Sequence, residues 1–200
     1  MKHYLLLALL FAFRSKAQTN EMFPAHWTGP DPIPGITTIH KTEGFINDGI
    51  HLQTIIAGHD TISGSISSSS ADPFNGKGGV PYHQKPFSIN GYYRYRLSEK
   101  DTALLLVIFK KNGHILSKDL FKIRGTGEQP FFHSFSYPLS LSSQPDTVIV
   151  AAYSSCVTSK GVMSAGSFLE LDQLMFDGIK IDQQLPNGSF DDWIDRKSVV

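Results

Sequence analysis

The stretch Gly91–Leu97 (GYYRYRL) sets tyrosines and arginines at alternating positions. In a strand, successive side chains point to opposite faces, so Tyr93 and Tyr95 share one face while Tyr92, Arg94 and Arg96 share the other. The face with the guanidinium groups must be the wetter one. Tyr93 and Tyr95 are therefore expected in a core, and Tyr92 is expected beside the arginines, facing a ligand. Flat aromatic rings stack on pyranose faces, and Arg, Asn, Asp or His can fork hydrogen bonds to vicinal hydroxyls. Trp27, Tyr82 and His83 offer the same kinds of group. The candidate carbohydrate-binding set is thus Trp27, Tyr82, His83, Tyr92, Arg94 and Arg96. Two plainer readings stay open: the tyrosines pack at a sheet edge, and Trp27, set among prolines, closes one end of the core.

Constellations for catalysis are harder to find. There is no G-x-S-x-G elbow, and Gly64-Ser65-Ile66 lacks the strand–turn–helix setting that such an elbow needs. The eight histidines show no H-E-x-x-H spacing, so a zinc site would have to be assembled by folding alone. Cys156 is a single thiol without a matched histidine and reads as a small buried residue. His133 lies on an aromatic face and reads as packed and hydrogen-bonded. Asp60, Glu99, Asp101, Glu128 and Asp172 are available carboxylates, but the spacing singles out no pair of the kind glycoside hydrolysis uses. The expectation is a non-catalytic protein; a hydrolase would require two carboxylates or a Ser–His pair converging in one pocket.

The elements that must position these residues read as strands. Ile36–Lys41, Ile50–Ile56, Asp60–Ile66, Pro86–Leu97, His114–Ile123, Asp146–Ser154 and Ser167–Phe176 are β-branched, aromatic or alternating, with turn residues between them. Thr102–Lys111 (TALLLVIFKK) is the most apolar and is expected to be central, buried on both faces. In Phe131–Leu139, positions 131, 133, 135, 137 and 139 fall on one face, and 132, 134 and 136 on the other. The loop from Ser67 to Tyr82 is longer than most ordered connections and is expected either to rim a site or to lack order. Prolines 24, 30, 32 and 34 forbid a helix near the start. No window holds a capped helical period, so the fold expected is an all-β sandwich, a jelly roll. Of the 200 residues, 18% are charged, with Lys+Arg 18 against Asp+Glu 18. That balance offers no basic excess to nucleic acid or anionic lipid.

The first residues read as an export signal. Lys2 and His3 precede the apolar run Tyr4–Phe13, and Ser15-Lys16-Ala17 supplies small residues for cleavage after Ala17. The run is about half the ~20 residues that a membrane span needs. The expected mature chain starts at Gln18, is secreted or displayed at the cell surface, and has no membrane partner. A single cysteine in an exported chain fits a bacterial protein better than a disulfide-stapled eukaryotic one.

Several segments together resemble one class of module. Asn187-Gly188-Ser189-Phe190-Asp191 resembles the N-G-(D/S)-F-E opening of jelly-roll carbohydrate-binding modules of the family 4/9 type, and Asn20–Phe23 followed by Trp27 echoes it. Gly166–Leu174 (GSFLELDQL) resembles the G-S-x-L-x-(I/V)-D-D-(L/V) strand that closes such domains. Gly79–Tyr82, Lys85-Pro86 and Gly91–Tyr95 are similar to the core of the carbohydrate-metabolism jelly rolls in secreted Bacteroidota proteins. The resemblance implies a galactose-binding-like jelly roll over 18–178. It implies a monomer within a multi-module, glycan-handling or cell-surface chain, with 179–200 as a linker and the truncated start of a second module. The partner implied is a glycan or cell-surface polysaccharide; a structural or adhesive spacer that binds no sugar is the alternative. No cofactor is required, but the resemblance implies a structural calcium ion pinning the lead-in to the last strand, held by Asp172 with Glu21 as partner. Gln173 stands where the family has its second acid. The alternative for Asp172 is that it accepts backbone N–H groups near a turn.

Overall fold

The computed structural model describes residues 22–29, 37–68, 72–158 and 162–195. The expected signal peptide (1–17), Glu21 and prolines 30, 32 and 34 lie outside the described residues. The strands are β1 (Met22–Pro24), β2 (Ile39–Glu43), β3 (Asp48–Gln53), β4 (Ile55–Ala57), β5 (Asp60–Ile62), β6 (Ser65–Ser67) and β7 (Val80–Pro81). They continue with β8 (Ser88–Leu97), β9 (Ala103–Lys111), β10 (His114–Ile123), β11 (Gly127–Pro138), β12 (Thr147–Tyr153), β13 (Phe168–Asp177) and β14 (Trp193–Asp195).

Two antiparallel sheets carry the fold. The first runs β11-β8-β13-β3-β2; the second runs β10-β9-β12-β6, with β7 also on β12. Let β3, β6 and β8 to β13 be counted first to eighth along the chain. The sheets then read first–eighth–third–sixth and second–seventh–fourth–fifth. Each sheet pairs strands distant in sequence, as two wound Greek keys require, and the result is a jelly roll. Alternation fills the space between the sheets. Ile50, Leu52, Ile89, Leu97, Leu169 and Leu171 come from the first sheet, and Leu105, Val107, Phe109, Val148 and Val150 from the second.

Strand β9 lies between β10 and β12 and is buried over Ala103–Lys110. Its off-core side chains Leu104, Leu106 and Ile108 form a second cluster with Ile149, Ala151 and Tyr153. The long loop after β6 covers that cluster. A 3-10 turn at Pro73–Asn75, capped by Asp72, lays Phe74 against Tyr153 with ring centroids 5.2 Å apart. The Lys110 ammonium donates to the carbonyls of Gly76 and Gly78, tying the loop down. The described part of this loop is a lid on apolar surface. Thr54 interrupts the strand expected at 50–56, and Gly64 interrupts the one at 60–66. A side chain at Gly64 would meet the backbone of Gln53 and Thr38 at 2.5–2.6 Å.

The segment after residue 178 departs from expectation. It was expected to be a linker and the start of another module, yet residues 185–195 pack into this sandwich. Leu185 and Phe190 belong to the main core, with Phe190 fully buried. Strand β14 pairs with β1, matching Met22 to Asp195 and Pro24 to Trp193. Asn187 is the staple: its amide donates to the carbonyls of Ala25 and Asp192, and its own carbonyl accepts the indole N–H of Trp27 at 3.0 Å. Gly188 sits against the Leu174 carbonyl, where a Cβ has no room. The N-G-S-F pattern thus closes this sandwich over its own lead-in strand.

Candidate functional site

The outer face of the first sheet gathers polar and aromatic groups in register. One row of paired residues crosses four strands: His40 opposite His51, His51 opposite Glu170, and Glu170 opposite Arg94. On the fifth strand, β11, a register shift between Gln129 and His133 brings Phe132 under the Arg94 guanidinium, 4.7 Å from the ring centroid. With strands about 4.8 Å apart, this row is about 19 Å long. The next row matches Phe168, Arg96 and Glu128. Arg96 donates to Glu128 at 2.6 and 3.0 Å and lies 5.3 Å over the Phe168 ring. On the other side of the central row, Tyr92 stacks on Phe45 from the β2–β3 turn, with centroids 3.9 Å apart and planes at 13°. Phe45 is 49% exposed, so the stack is an open aromatic platform.

Glu170 is the electrostatic centre of this face. His51 Nδ1 lies 2.7 Å from its carboxylate, and Arg94 Nε donates to it. Burial opposes the charge, but the hydrogen bonds from His51 and Arg94 prevail and hold the Glu170 carboxyl below its ordinary range. Burial and the neighbouring His51 push His40 the other way for a base, below its usual value. Among the described residues Nε is the one Arg94 nitrogen with a hydrogen-bond partner, and the terminal N–H groups have none. Planar rings, a fixed carboxylate and forked donors on one surface suit a polyhydroxylated ligand.

The six residues expected to bind carbohydrate separate. Tyr92, Arg94 and Arg96 share the outer face, and Tyr93 and Tyr95 pack on the core as alternation requires. Trp27 and Tyr82 are corrections: at 5% and 1% exposure both are core residues. Trp27 packs on Phe190 with centroids 5.3 Å apart, closing the end of the sandwich. Tyr82 packs between Phe109 and Phe176, and burial raises its phenol well above the ordinary value. His83 is exposed on the loop after β7, where its N–H donates to Gln183, outside the network of the face. Phe45, His51, Phe132, Phe168 and Glu170 were not singled out from sequence. His51 alternates with Ile50 and Leu52, and Phe168 and Glu170 with Leu169 and Leu171. That signal placed them off the core but could not place them opposite Arg94 and Arg96.

Asp172, expected as a calcium ligand with Glu21, acts in the described fold as a hydrogen-bond acceptor. It is fully buried, and its two oxygens accept the N–H groups of Gln173 at 2.7 Å and Ile46 at 2.8 Å, holding the β2–β3 turn. Burial raises its pKa despite those bonds. No group of three or more His, Cys, Asp or Glu among the described residues is arranged to hold a metal. Asp101 is buried as well, accepting the Ser155 hydroxyl at 2.6 Å and the N–H groups of Thr102, Cys156 and Ser164.

No protein-family model matches the chain, and no curated protein matches it. Solved structures do match at low identity. The enzymatically active domain of bacteriophage CBA120 tailspike protein 4 aligns with TM-score 0.48 and 8% identity, covering 78% of this chain. This chain spans only 20% of that one. The family 11 carbohydrate-binding module of Clostridium thermocellum, in complex with a β-1,3-1,4-mixed-linked tetrasaccharide, aligns with TM-score 0.44 and 9% identity over 77% of this chain and 89% of its own. The K1 cleaved adhesin domain of Lys-gingipain from Porphyromonas gingivalis W83 aligns with TM-score 0.40 and 10% identity over 80% and 94%.

Proposed function

We propose that this protein is a secreted, non-catalytic glycan-binding module that holds a saccharide on the outer face of its first sheet. The observation that carries the reading is the cross-strand row His40–His51–Glu170–Arg94 with Phe132, flanked by the Phe45–Tyr92 stack. A pyranose would stack on Phe45 and accept hydrogen bonds from Arg94, while Glu170 fixes the guanidinium in place. Export would follow cleavage after Ala17, and N-terminal sequencing of the secreted chain should begin at Gln18.

The binding test is a glycan array followed by calorimetry on residues 18–200, because the tail belongs to the core. Replacing Phe45 or Arg94 by alanine is expected to weaken binding tenfold or more, about 1.4 kcal/mol each. Affinity unchanged in both variants would remove this face as the site. One observation favours a spacer that binds no sugar: Arg94 and Arg96 already have carboxylate partners in Glu170 and Glu128. An array that is silent for the folded chain would support that second reading.

A further inference from the structure

A concave feature lies where β8 turns into β9. It is a cleft of about 650 Å³ whose lining includes Lys100, Lys122, Arg124, Thr126 and Thr158, with Asp101 at its floor. We propose that this cleft is an oxoanion site, separate from the glycan face, that takes a sulfate or carboxylate group.

Three features of the fold build it. Lys122 pairs with Leu104, whose side chain is on the side away from the main core, so its ammonium is carried outward at the sheet end. The loop after β10 is fixed against the first sheet: the Tyr95 hydroxyl donates to the Arg124 carbonyl at 3.3 Å, and Gly125 lies so close to Tyr95 that a Cβ would overlap it. Lys100 occupies the turn at φ 69°, a conformation that glycine or asparagine adopts more readily, and adds a third cation to the wall.

The charges of this cleft differ from those of the glycan face. Arg94 and Arg96 each have a carboxylate within ion-pair distance; among the described residues Lys100, Lys122 and Arg124 have none. The one carboxylate in the lining, Asp101, is 3% exposed, and its oxygens accept four donors from the surrounding loops. Three cations against one buried carboxylate leave the concavity with an excess of positive charge, so the cations repel each other and focus positive potential into it. An oxoanion relieves that repulsion, and a guanidinium can hold it through two parallel N–H···O bonds. The Thr126 hydroxyl supplies a neutral donor to the remaining oxygens, while Thr158 Oγ1 lies 3.1 Å from Cys156 Sγ.

The test compares the full mature chain with the double variant Lys122→Gln/Arg124→Gln, and with Lys100→Asn, which suits the turn. Sodium sulfate is titrated against sodium chloride at equal ionic strength, reading the melting midpoint, since sulfate also stabilises proteins non-specifically. Oligogalacturonate and its carboxyl-reduced neutral counterpart are titrated by calorimetry. The expected result is a sulfate-specific rise in midpoint for the parent chain that shrinks in both variants and persists in Arg94→Ala. A preference for oligogalacturonate over its neutral counterpart that falls at least tenfold in the double variant would assign the site to an acidic saccharide. A sulfate response alone would assign it to the free ion. Identical responses of parent and variants to both ligands would overturn the site. Neutral-glycan binding lost in Arg94→Ala would leave the outer face intact in that event.

Discussion

At the scale of single residues, the carboxylate of Glu170 and the imidazole of His40 make the outer face sensitive to acid. The folded His40 has a pKa below 6.5, so the unfolded chain takes up that proton first. Its contribution to stability is present above pH 6.5 and is lost as pH falls through that value toward the folded pKa. Glu170, held below 4.5 in the fold, contributes stability above pH 4.5 that is lost as pH falls through the folded value. Asp172, raised by burial, acts in the opposite sense and makes acid somewhat less damaging. Urea midpoints measured from pH 8 to pH 3 should therefore fall in two stages. His40→Asn should flatten the upper stage and Glu170→Gln the lower. A profile identical to the parent's in both variants would refute these assignments. Glu170→Gln should also cost about 2 kcal/mol at pH 7, because Arg94 loses the partner of its largely buried ion pair.

At the scale of elements, the informative piece is the segment that carries Asn187, Phe190 and β14. Phe190→Ala removes a fully buried ring and should cost about 3–5 kcal/mol, read as a lowered urea midpoint. Asn187→Ala should cost less but still measurably, since its side-chain amide makes three hydrogen bonds, one across to the lead-in at Ala25 and two to Asp192 within the tail. Little or no change in either variant would mean that the tail does not seal the core. Individual strands were legible in the sequence because period-two alternation is a local property. His114–Ile123 emerges with the expected bounds, and β9 is buried on both faces as its composition required. The tail was not legible, because its partners lie about 160 positions earlier. A glycine that permits close approach and an aromatic plug look alike whether they open a sandwich or close one. For the same reason sequence could not choose between Trp27 as a ligand platform and as the plug of the core: its partner Phe190 is distant in the chain.

For the whole molecule, the topology of two wound sheets decides which residues meet. Sequence alternation placed Tyr92, Arg94 and Arg96 together, but pairing β8 with β13, and β13 with β3, is what adds Glu170 and His51 to them. Long-range pairing also bears on the metal. The lead-in strand is held by β14, Asn187 and Trp27, and Asp172 is committed to backbone N–H groups, so a polypeptide clasp joins the lead-in to the tail. EDTA is therefore expected to leave the melting temperature unchanged; a fall reversed by added calcium would restore Asp172 as a ligand. The same clasp has a mechanical consequence. Met22 and Asp195 lie side by side on antiparallel strands, so tension on the two chain ends pulls them apart at one end of the pair. The load falls on a single rung at a time, and β1 peels from β14 like a zip until it reaches Trp27 and Phe190. Resistance to pulling therefore resides in that buried aromatic contact, and the short strand pair ahead of it yields first.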